Sequence, residues 1–292
     1  MISEVQVRLA GGIGNQIFQF IAGKMVAEKF GAKFASNFQA FDATNLHIGS
    51  DIRELEFFNS DFEISNGSYK YVQRFYERVK IKLAKKSKLL SRLLNLYCDD
   101  YVDFEQLERF TGTLQLSGYF QTRQVVDFTS KNYPIINLQP RNLSMKFTTA
   151  LNHINGEFCA IHIRRGDYLH KGSIHKELTS DYYLRALNFM CEKSEGNLMK
   201  FVVFSDEPEL ASVLLPSDLV YIQAAEFKLS TVEELYLMSH AAAFVIANST
   251  FSFWPAFLAK AECPVVAPNN WFKSGSQSIN EIFPSCWNLI SS

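Results

Sequence analysis

The second half of the chain alternates between short apolar stretches and amphipathic stretches, and this pattern constrains the fold more than any other feature. The apolar stretches have the length and composition of buried strands and lie at 157–163, 200–206, 243–249 and 263–268. Stretches with helical spacing separate them, at 180–193, 231–241 and 251–261. Strands that alternate with helices predict parallel sheets joined by right-handed crossovers. The sequence therefore predicts an α/β fold.

The chain also begins with a strand, a glycine-rich turn and a helix. Its three glycines, at 11, 12 and 14, are followed by apolar residues at helical spacing that run as far as Gly31. A dinucleotide-binding turn would carry a third glycine where Ile17 stands. It would also place an acidic residue at the end of the next strand, where Ser36 and Asn37 stand. We therefore exclude binding of NAD.

The length of the chain favours two domains over one. With 292 residues and 47% hydrophobic content, the chain is long enough to bury two cores. The stretch from about 42 to 133 is less regular than the rest, and the second α/β pattern begins near Leu151. We place the boundary between these regions, which predicts domains at 1–148 and 149–292.

A basic amphipathic stretch lies within the less regular region, from Lys70 to Arg92. It holds nine basic residues and one acid, Glu77, so its local charge is +8. Its interleaved apolar residues are Tyr71, Phe75, Val79, Leu83, Leu89, Leu90 and Leu93. The pattern fits either a solvated helical face packed on the N-terminal lobe or a surface that docks on anionic lipid. On the sequence alone we favour the solvated face.

Composition narrows the classes of protein. A net charge of −1 gives no reason to expect nucleic acid as a partner. Five cysteines without a C-x-x-C pair indicate reduced thiols rather than a disulfide framework. The N-terminus lacks the pattern of a signal peptide, and the best membrane-span candidate, 241–261, is interrupted by Asn248 and Pro255. We expect a cytoplasmic protein, with peripheral contact on the inner face of the membrane as an option.

Polar residues are concentrated where four of the predicted strands end. These ends carry Arg164, Arg165 and Asp167; Ser205, Asp206 and Glu207; Asn248, Ser249 and Thr250; and Asn269, Asn270 and Trp271. The carboxyl ends of parallel strands share one edge of a sheet, which is where ligands bind in open α/β folds. The arginine fork matches phosphate oxygens, and a helix that begins after Ser249 offers free N–H groups to an anion. The arrangement predicts a site for a nucleotide with a diphosphate, although Arg164 and Asp167 would alternatively form a plain ion pair.

Five motifs resemble, in order, those of the α-1,2-fucosyltransferases of glycosyltransferase family 11. They are "GGIGNQIFQF" at 11–20, "HIRRGDY" at 162–168, "FSDE" at 204–207, "IANSTFSFWPAFLA" at 246–259 and "APNNWF" at 267–272. The departures from the family pattern are Phe20, Glu207, Phe253 and Pro255. None of them removes an arginine or a glycine of the loop.

The resemblance implies a GT-B-like fold with two Rossmann-like lobes and a nucleotide-sugar cleft between them. The C-terminal lobe would hold GDP-fucose, and the N-terminal lobe would receive a galactose-terminated oligosaccharide, free or lipid-linked. L-Fucose would pass with inversion to O2 of the galactoside, in glycan or O-antigen-type synthesis. No metal or other cofactor is expected, and the sequence contains no D-x-D triplet. The alternatives are a fucosyltransferase of another linkage and a GDP-sugar-binding protein without transfer activity.

The resemblance also implies roles for individual residues. Those expected to bind the donor are His162, Arg164, Arg165, Ser205, Asp206, Asn248, Ser249, Thr250 and Phe251. Those of the loop on the acceptor or fucose side are Gly11, Gly12, Gly14, Asn15 and Gln16. Arg164 would contact the β-phosphate and stabilise the charge of the leaving group. Asp167 would orient either Arg164 or a hydroxyl group.

Four of these expectations have alternatives. Arg165 would either bind the donor or reach a carboxylate at a strand end, and His162 would either contact guanine or phosphate or be a core histidine. Ser249 and Thr250 would bond the diphosphate, or Ser249 would be a plain N-cap.

The catalytic base stays open on the sequence. Asp42, Asp167, Asp206 and Glu207 are all candidates, because a carboxylate within hydrogen-bond reach can take the acceptor proton. A transition state with oxocarbenium character and no dedicated base is equally admissible.

Overall fold

The structure is a computed structural model in which the chain forms two compact units, Met1–Ile135 and Ile136–Ser292. It describes residues 1–38, 51–58, 63–64, 71–133, 136–165, 177–193, 200–260, 263–271 and 282–291. For 63–64 and 71–74 the backbone alone is described. Each unit contains a parallel sheet, which confirms the α/β fold.

The first unit is built on a parallel sheet of five strands in the order β3-β2-β1-β5-β4. The strands are β1 (Ile2–Arg8), β2 (Lys33–Asn37), β3 (Glu63–Ile64), β4 (Leu96–Tyr97) and β5 (Gly112–Leu116). The helices are α1 (Ile13–Phe30), α2 (Tyr71–Lys86), α3 (Lys88–Leu93), α4 (Phe104–Leu107) and α5 (Arg123–Asn132). A 3₁₀ turn occupies Ile52–Glu54.

The second unit is built on a sheet of six strands in the order β11-β10-β9-β6-β7-β8, and every described pairing in it is parallel. The strands are β6 (Phe158–Ile163), β7 (Lys200–Ser205), β8 (Ile222–Gln223), β9 (Ala243–Val245), β10 (Val265–Pro268) and β11 (Asn288–Ile290). The helices are α6 (Met145–Ile154), α7 (Ser180–Lys193), α8 (Ala211–Leu214), α9 (Thr231–Met238) and α10 (Thr250–Phe257). Short 3₁₀ turns occupy Pro208–Leu210 and Ala224–Phe227.

The boundary between the units lies before the one predicted from the sequence. The prediction divided the chain after residue 148, which is inside α6. That helix packs within the second unit. Its Phe147 ring stacks on the Tyr236 ring with 5.2 Å between the ring centroids, and the N–H of its N-cap, Ser144, donates to the Glu233 carboxylate at 2.7 Å. The second unit therefore begins at Ile136 rather than at residue 149.

Helix α1 lies close against the first sheet because of a glycine. A Cβ atom on Gly23 would lie 2.4 Å from the Phe34 ring and 2.9 Å from the Cβ of Val7. The helix then ends at Gly31, whose φ of 61° is the left-handed conformation that glycine adopts without a steric penalty. The predicted stop of this helix at Gly31 is confirmed.

The central strand of the second unit is β6, and all six of its residues are buried. Burial on both faces is typical of a parallel strand covered by helices, and it explains the continuous apolar run in the sequence. Two tyrosines of α7 are buried with it. The Tyr183 hydroxyl donates to the His162 carbonyl at 3.1 Å and the Tyr182 hydroxyl donates to the Ile246 carbonyl at 2.6 Å.

In the parts of the chain that the structure describes, no helix combines the length and the apolar character needed to cross a bilayer.

Candidate functional site

An arginine and an aspartate meet at the carboxyl ends of β6 and β7. These strands pair in parallel with Ile163 opposite Ser205, so the residues that follow them, Arg164 and Asp206, leave the sheet side by side. The Arg164 guanidinium lies 3.1 Å from the Asp206 carboxylate, and the two side chains are 30% and 24% exposed. The pair thus holds a cationic fork at the edge of the sheet while leaving part of it open to solvent.

Arg165 takes a different direction from its neighbour. Its guanidinium lies 3.4 Å from the carboxylate of Glu177, which stands just before α7. Its backbone N–H donates to Asp206 at 3.5 Å. The expectation that its side chain reaches a carboxylate at a strand end is wrong, because Arg164 occupies that position.

His162 lies inside the sheet rather than at its edge. Its ring is 4% exposed, its Nδ1 lies 2.8 Å from the Ser252 hydroxyl, and it packs 5.5 Å from the Phe251 ring. Burial, followed by the nearby charge of Arg164, lowers the pKa of His162 to about 3, so the ring is neutral at ordinary pH. This environment is that of a core histidine, the alternative to the predicted contact with guanine or phosphate.

Asn248 and Ser249 build the turn between β9 and α10. Asn248 is fully buried and its amide donates to the Trp271 carbonyl at 3.1 Å, which joins the ends of two neighbouring strands. The Ser249 side chain accepts from the Phe251 N–H at 3.4 Å and is the N-cap of α10. Asn248 thus has a structural role, and its predicted contact with the donor stays a prediction. Thr250 and Phe251 form the first turn of α10 and are half-buried.

The remaining predicted residues of this edge divide into two groups. The Ser205 hydroxyl accepts from the Glu207 N–H at 3.1 Å, so both residues belong to the turn that follows β7. Asp167, which was also predicted at this edge, lies outside the described residues, as does Asp42, a candidate base from the N-terminal half of the chain.

A further acidic residue, Glu234, was not predicted from the sequence. It stands in the first turn of α9, which starts on the same edge of the sheet because it connects β8 to β9. Burial raises the pKa of its carboxyl to about 7, so the group exchanges a proton near neutral pH. Its signal in the sequence is weak, because "TVEEL" is also what a capping box requires. Glu233 fills that role, with the Ser230 N–H donating to its carboxylate at 3.0 Å.

The glycine loop of the first unit is held by its own side chains. Gly11 has a φ of 79°, and its carbonyl accepts from the Gln16 amide at 2.9 Å. Gln16 is fully buried and its oxygen also accepts from the Ile52 N–H at 3.0 Å, which gives it a structural role. The Asn15 side-chain oxygen accepts a hydrogen bond from the Gln121 amide at 3.0 Å.

The start of α1 has no side-chain cap. Gly12 is the N-cap residue of the helix and Gly14 lies in its first turn. The N–H groups of Asn15 and Gln16 donate to the Gly12 carbonyl at 2.9 Å and 3.1 Å. The approach of this loop to a sugar stays a prediction.

Metal ligands were not expected in this protein. Within the described ranges, no group of three or more His, Cys, Asp or Glu side chains converges in the way that would hold a metal ion. Independence of metal stays a prediction to be tested by activity.

Comparison with known proteins places this architecture among the glycosyltransferases. The fold is GT-B-like and matches the crystal structure of the fucosyltransferase NodZ from Bradyrhizobium with a TM-score of 0.50 and 12% identity, over 89% of this chain and 94% of that one. The sequence model of glycosyl transferase family 11 matches residues 74–291. The chain belongs to that family, as its motifs predicted.

Two curated relatives match most of the chain. An α-1,2-colitosyltransferase of Escherichia coli is 27% identical over 305 residues, which cover 98% of each protein. The O-antigen biosynthesis glycosyltransferase WbnK of Escherichia coli is 27% identical over 297 residues, covering 92% of this chain and 95% of the relative.

Proposed function

We propose that this protein transfers L-fucose from GDP-β-L-fucose to O2 of a terminal galactoside, with inversion and without a metal ion. The observation that carries the proposal is the partly open Arg164 guanidinium, fixed by Asp206 at the edge of the sheet. Family membership supports glycosyl transfer, and similarity to an α-1,2-colitosyltransferase supports O2 as the acceptor atom. The name of WbnK supports a role in O-antigen-type synthesis.

The chemistry assigned to Arg164 follows from the charge of the leaving group. As the C1–O bond of the donor breaks, negative charge grows on the β-phosphate, and a guanidinium already held in place stabilises it without reorganising. Asp206 supplies that positioning by binding one side of the fork. Helix α10 begins after β9, which neighbours β6, so the positive end of its dipole favours an anion at the same edge of the sheet.

The proton of the acceptor hydroxyl requires a separate argument. Asp206, one of the candidates of the sequence, already binds the Arg164 guanidinium at 3.1 Å. Among the described carboxyl groups of this edge, Glu234 has a raised pKa, close to the value that suits proton transfer at neutral pH. We add Glu234 to the candidates of the sequence, beside Asp42, Asp167 and Glu207.

A second candidate donor is the nucleotide-activated form of colitose, which lacks the 3-hydroxyl group of fucose. The observation that favours it is the similarity to an α-1,2-colitosyltransferase, which extends over 98% of this chain. A site built to bind the 3-hydroxyl group would reject the deoxy sugar strongly, whereas an apolar site would prefer it. The two donors are therefore distinguishable by their relative kcat/KM.

The proposal is tested by supplying purified protein with GDP-fucose and a set of β-galactosides, and mapping any product by NMR. An α-1,2-fucosylated galactoside is the expected product. A product with another linkage would support the proposed donor and show that the proposed acceptor atom is wrong. Release of GDP without a glycoside product would indicate hydrolysis of the donor. Binding of GDP-fucose without either product would favour a binding protein and contradict the proposal.

A further inference from the structure

Helices α2 and α3 of the first unit expose large apolar side chains to solvent. Phe75 is 67% exposed, Leu89 65% and Leu93 72%, and Val79 and Leu83 are 37% and 40% exposed. We call these five residues the apolar ridge. Single exposed apolar residues are ordinary on protein surfaces, but five of them on two successive helices indicate an interaction site.

The arrangement of the ridge on α2 is regular. Phe75, Val79 and Leu83 follow one another at intervals of four residues, so they form one row along the helix. Ala84, on the opposite side of the helix, is 6% exposed, so the helix packs on the unit through that side. The helix therefore packs on the unit through one side and exposes the other, and the exposed side carries the ridge as well as charged residues.

Positive charge surrounds this ridge. Residues 75–93 include seven basic side chains and one acid, Glu77. Glu77 is bound by Lys80 at 3.0 Å and lies 3.9 Å from Arg8 of β1, with its side chain 19% exposed. In the described part of the chain no salt bridge involves Lys82, Lys85 or Lys86. The exposed side of the two helices is thus both apolar and cationic.

We propose that the apolar ridge and its lysines dock on the surface of an anionic bilayer. Apolar side chains enter the boundary between headgroups and acyl chains while lysines remain with the lipid phosphates, which is how interfacial helices bind. A second copy of the chain fits less well, because two such surfaces facing each other would bring like charges together. Nucleic acid would use the lysines but leave the aliphatic ridge without a partner.

The experiment measures co-sedimentation of the full chain with vesicles of about 30% phosphatidylglycerol in phosphatidylcholine, and with phosphatidylcholine alone. Two ridge variants, Phe75→Ser with Leu83→Ser and Leu89→Ser with Leu93→Ser, remove apolar contacts. A charge variant combines Lys82→Glu, Lys85→Glu and Lys86→Glu.

Each variant has a matched control elsewhere on the surface. The ridge control combines Val213→Ser and Val220→Ser, which are 66% and 86% exposed in the second unit. The charge control combines Lys33→Glu, Lys131→Glu and Lys193→Glu, three exposed lysines outside α2 and α3. Melting temperatures identify any variant that fails to fold, and the remaining variants then decide.

Anionic vesicles should bind the full chain at least about tenfold more tightly than neutral ones, and this affinity should fall as the salt concentration rises. The ridge and charge variants should each lose about tenfold in affinity while their controls stay unchanged. Lack of binding to anionic vesicles, or variants that bind as well as their controls, would overturn the proposal. A ridge variant that changes only the oligomeric state would instead assign the ridge to contact between copies. Because vesicle binding needs no donor, its failure is separate from failure of the proposed transfer.

Discussion

Arg164 and Arg165 are adjacent in the sequence but meet different partners. Arg164 reaches across to Asp206 of the neighbouring strand end, whereas Arg165 turns to Glu177 beside α7. Successive residues leaving a strand point to opposite sides, so a single ligand can be gripped squarely by only one of them. The geometry assigns the fixed, partly open fork to Arg164.

Replacement of Arg164 by lysine tests this assignment. Lysine keeps the charge and can still pair with Asp206, but it lacks the planar fork that binds two oxygens. We expect kcat/KM for the transfer to fall by at least about a hundredfold, near 2.7 kcal/mol, with little change in melting temperature. Steady-state kinetics on GDP-fucose and a galactoside provide the measurement.

The matched control for this experiment is Arg165→Lys, which should reduce kcat/KM by less. Its guanidinium is already committed to Glu177, away from the strand-end pair. Near-normal turnover of the Arg164 variant together with a collapse of its melting temperature would show that Arg164 is only an ion-pair partner. The role proposed for it at the diphosphate would then be lost.

The sequence predicted which strand ends carry polar residues, but it did not predict which of those side chains are buried and which are exposed. An asparagine at a strand end can bind a ligand or another part of the chain. The residue type of Asn248 therefore did not distinguish ligand binding from its observed hydrogen bond to Trp271. Burial of His162 depends on the helices that cover β6, which no local pattern describes. Glu234 was missed because its raised pKa arises from that same tertiary burial.

At the scale of the elements, a glycine explains the close approach of α1 to β1 and β2. Gly23 stands in the middle of a helix, where glycine costs about 1 kcal/mol relative to alanine, so its presence needs a packing reason. That reason is its contact with β1 and β2, where an added Cβ would meet Val7 and Phe34. Both contacts are below the separation that real Cβ atoms show.

Substitution of Gly23 by alanine should therefore destabilise the protein despite the better helix propensity of alanine. Overpacking of this kind costs about 1–3 kcal/mol, which exceeds the gain in propensity. Urea denaturation measures the change in the free energy of unfolding. Adding Phe34→Leu should recover part of the loss, because it removes the ring atom that lies 2.4 Å from the new Cβ. A Gly23→Ala protein more stable than the parent would contradict the packing argument.

For the molecule as a whole, the sequence described the second unit better than the first. Strands such as β6 are buried on both faces and helices such as α7 have one apolar face, so both leave a clear pattern. Strands β3 and β4 have two residues each and pair with partners distant in the chain, so no local pattern marks them. The boundary was misplaced because α6 belongs to the second unit through contacts with Tyr236 and Glu233.

The last prediction concerns neutralisation of the donor diphosphate by the protein itself. The sequence contains no D-x-D triplet, which many other sugar-nucleotide transferases use to hold a divalent ion at the diphosphate, and Arg164 instead presents a fixed cation at the strand end. A guanidinium can stabilise the departing diphosphate by charge and by two parallel hydrogen bonds. We therefore expect full transfer activity in EDTA. A loss of more than about tenfold, roughly 1.4 kcal/mol, that only Mg²⁺ or Mn²⁺ restores would show that a metal ion performs this task.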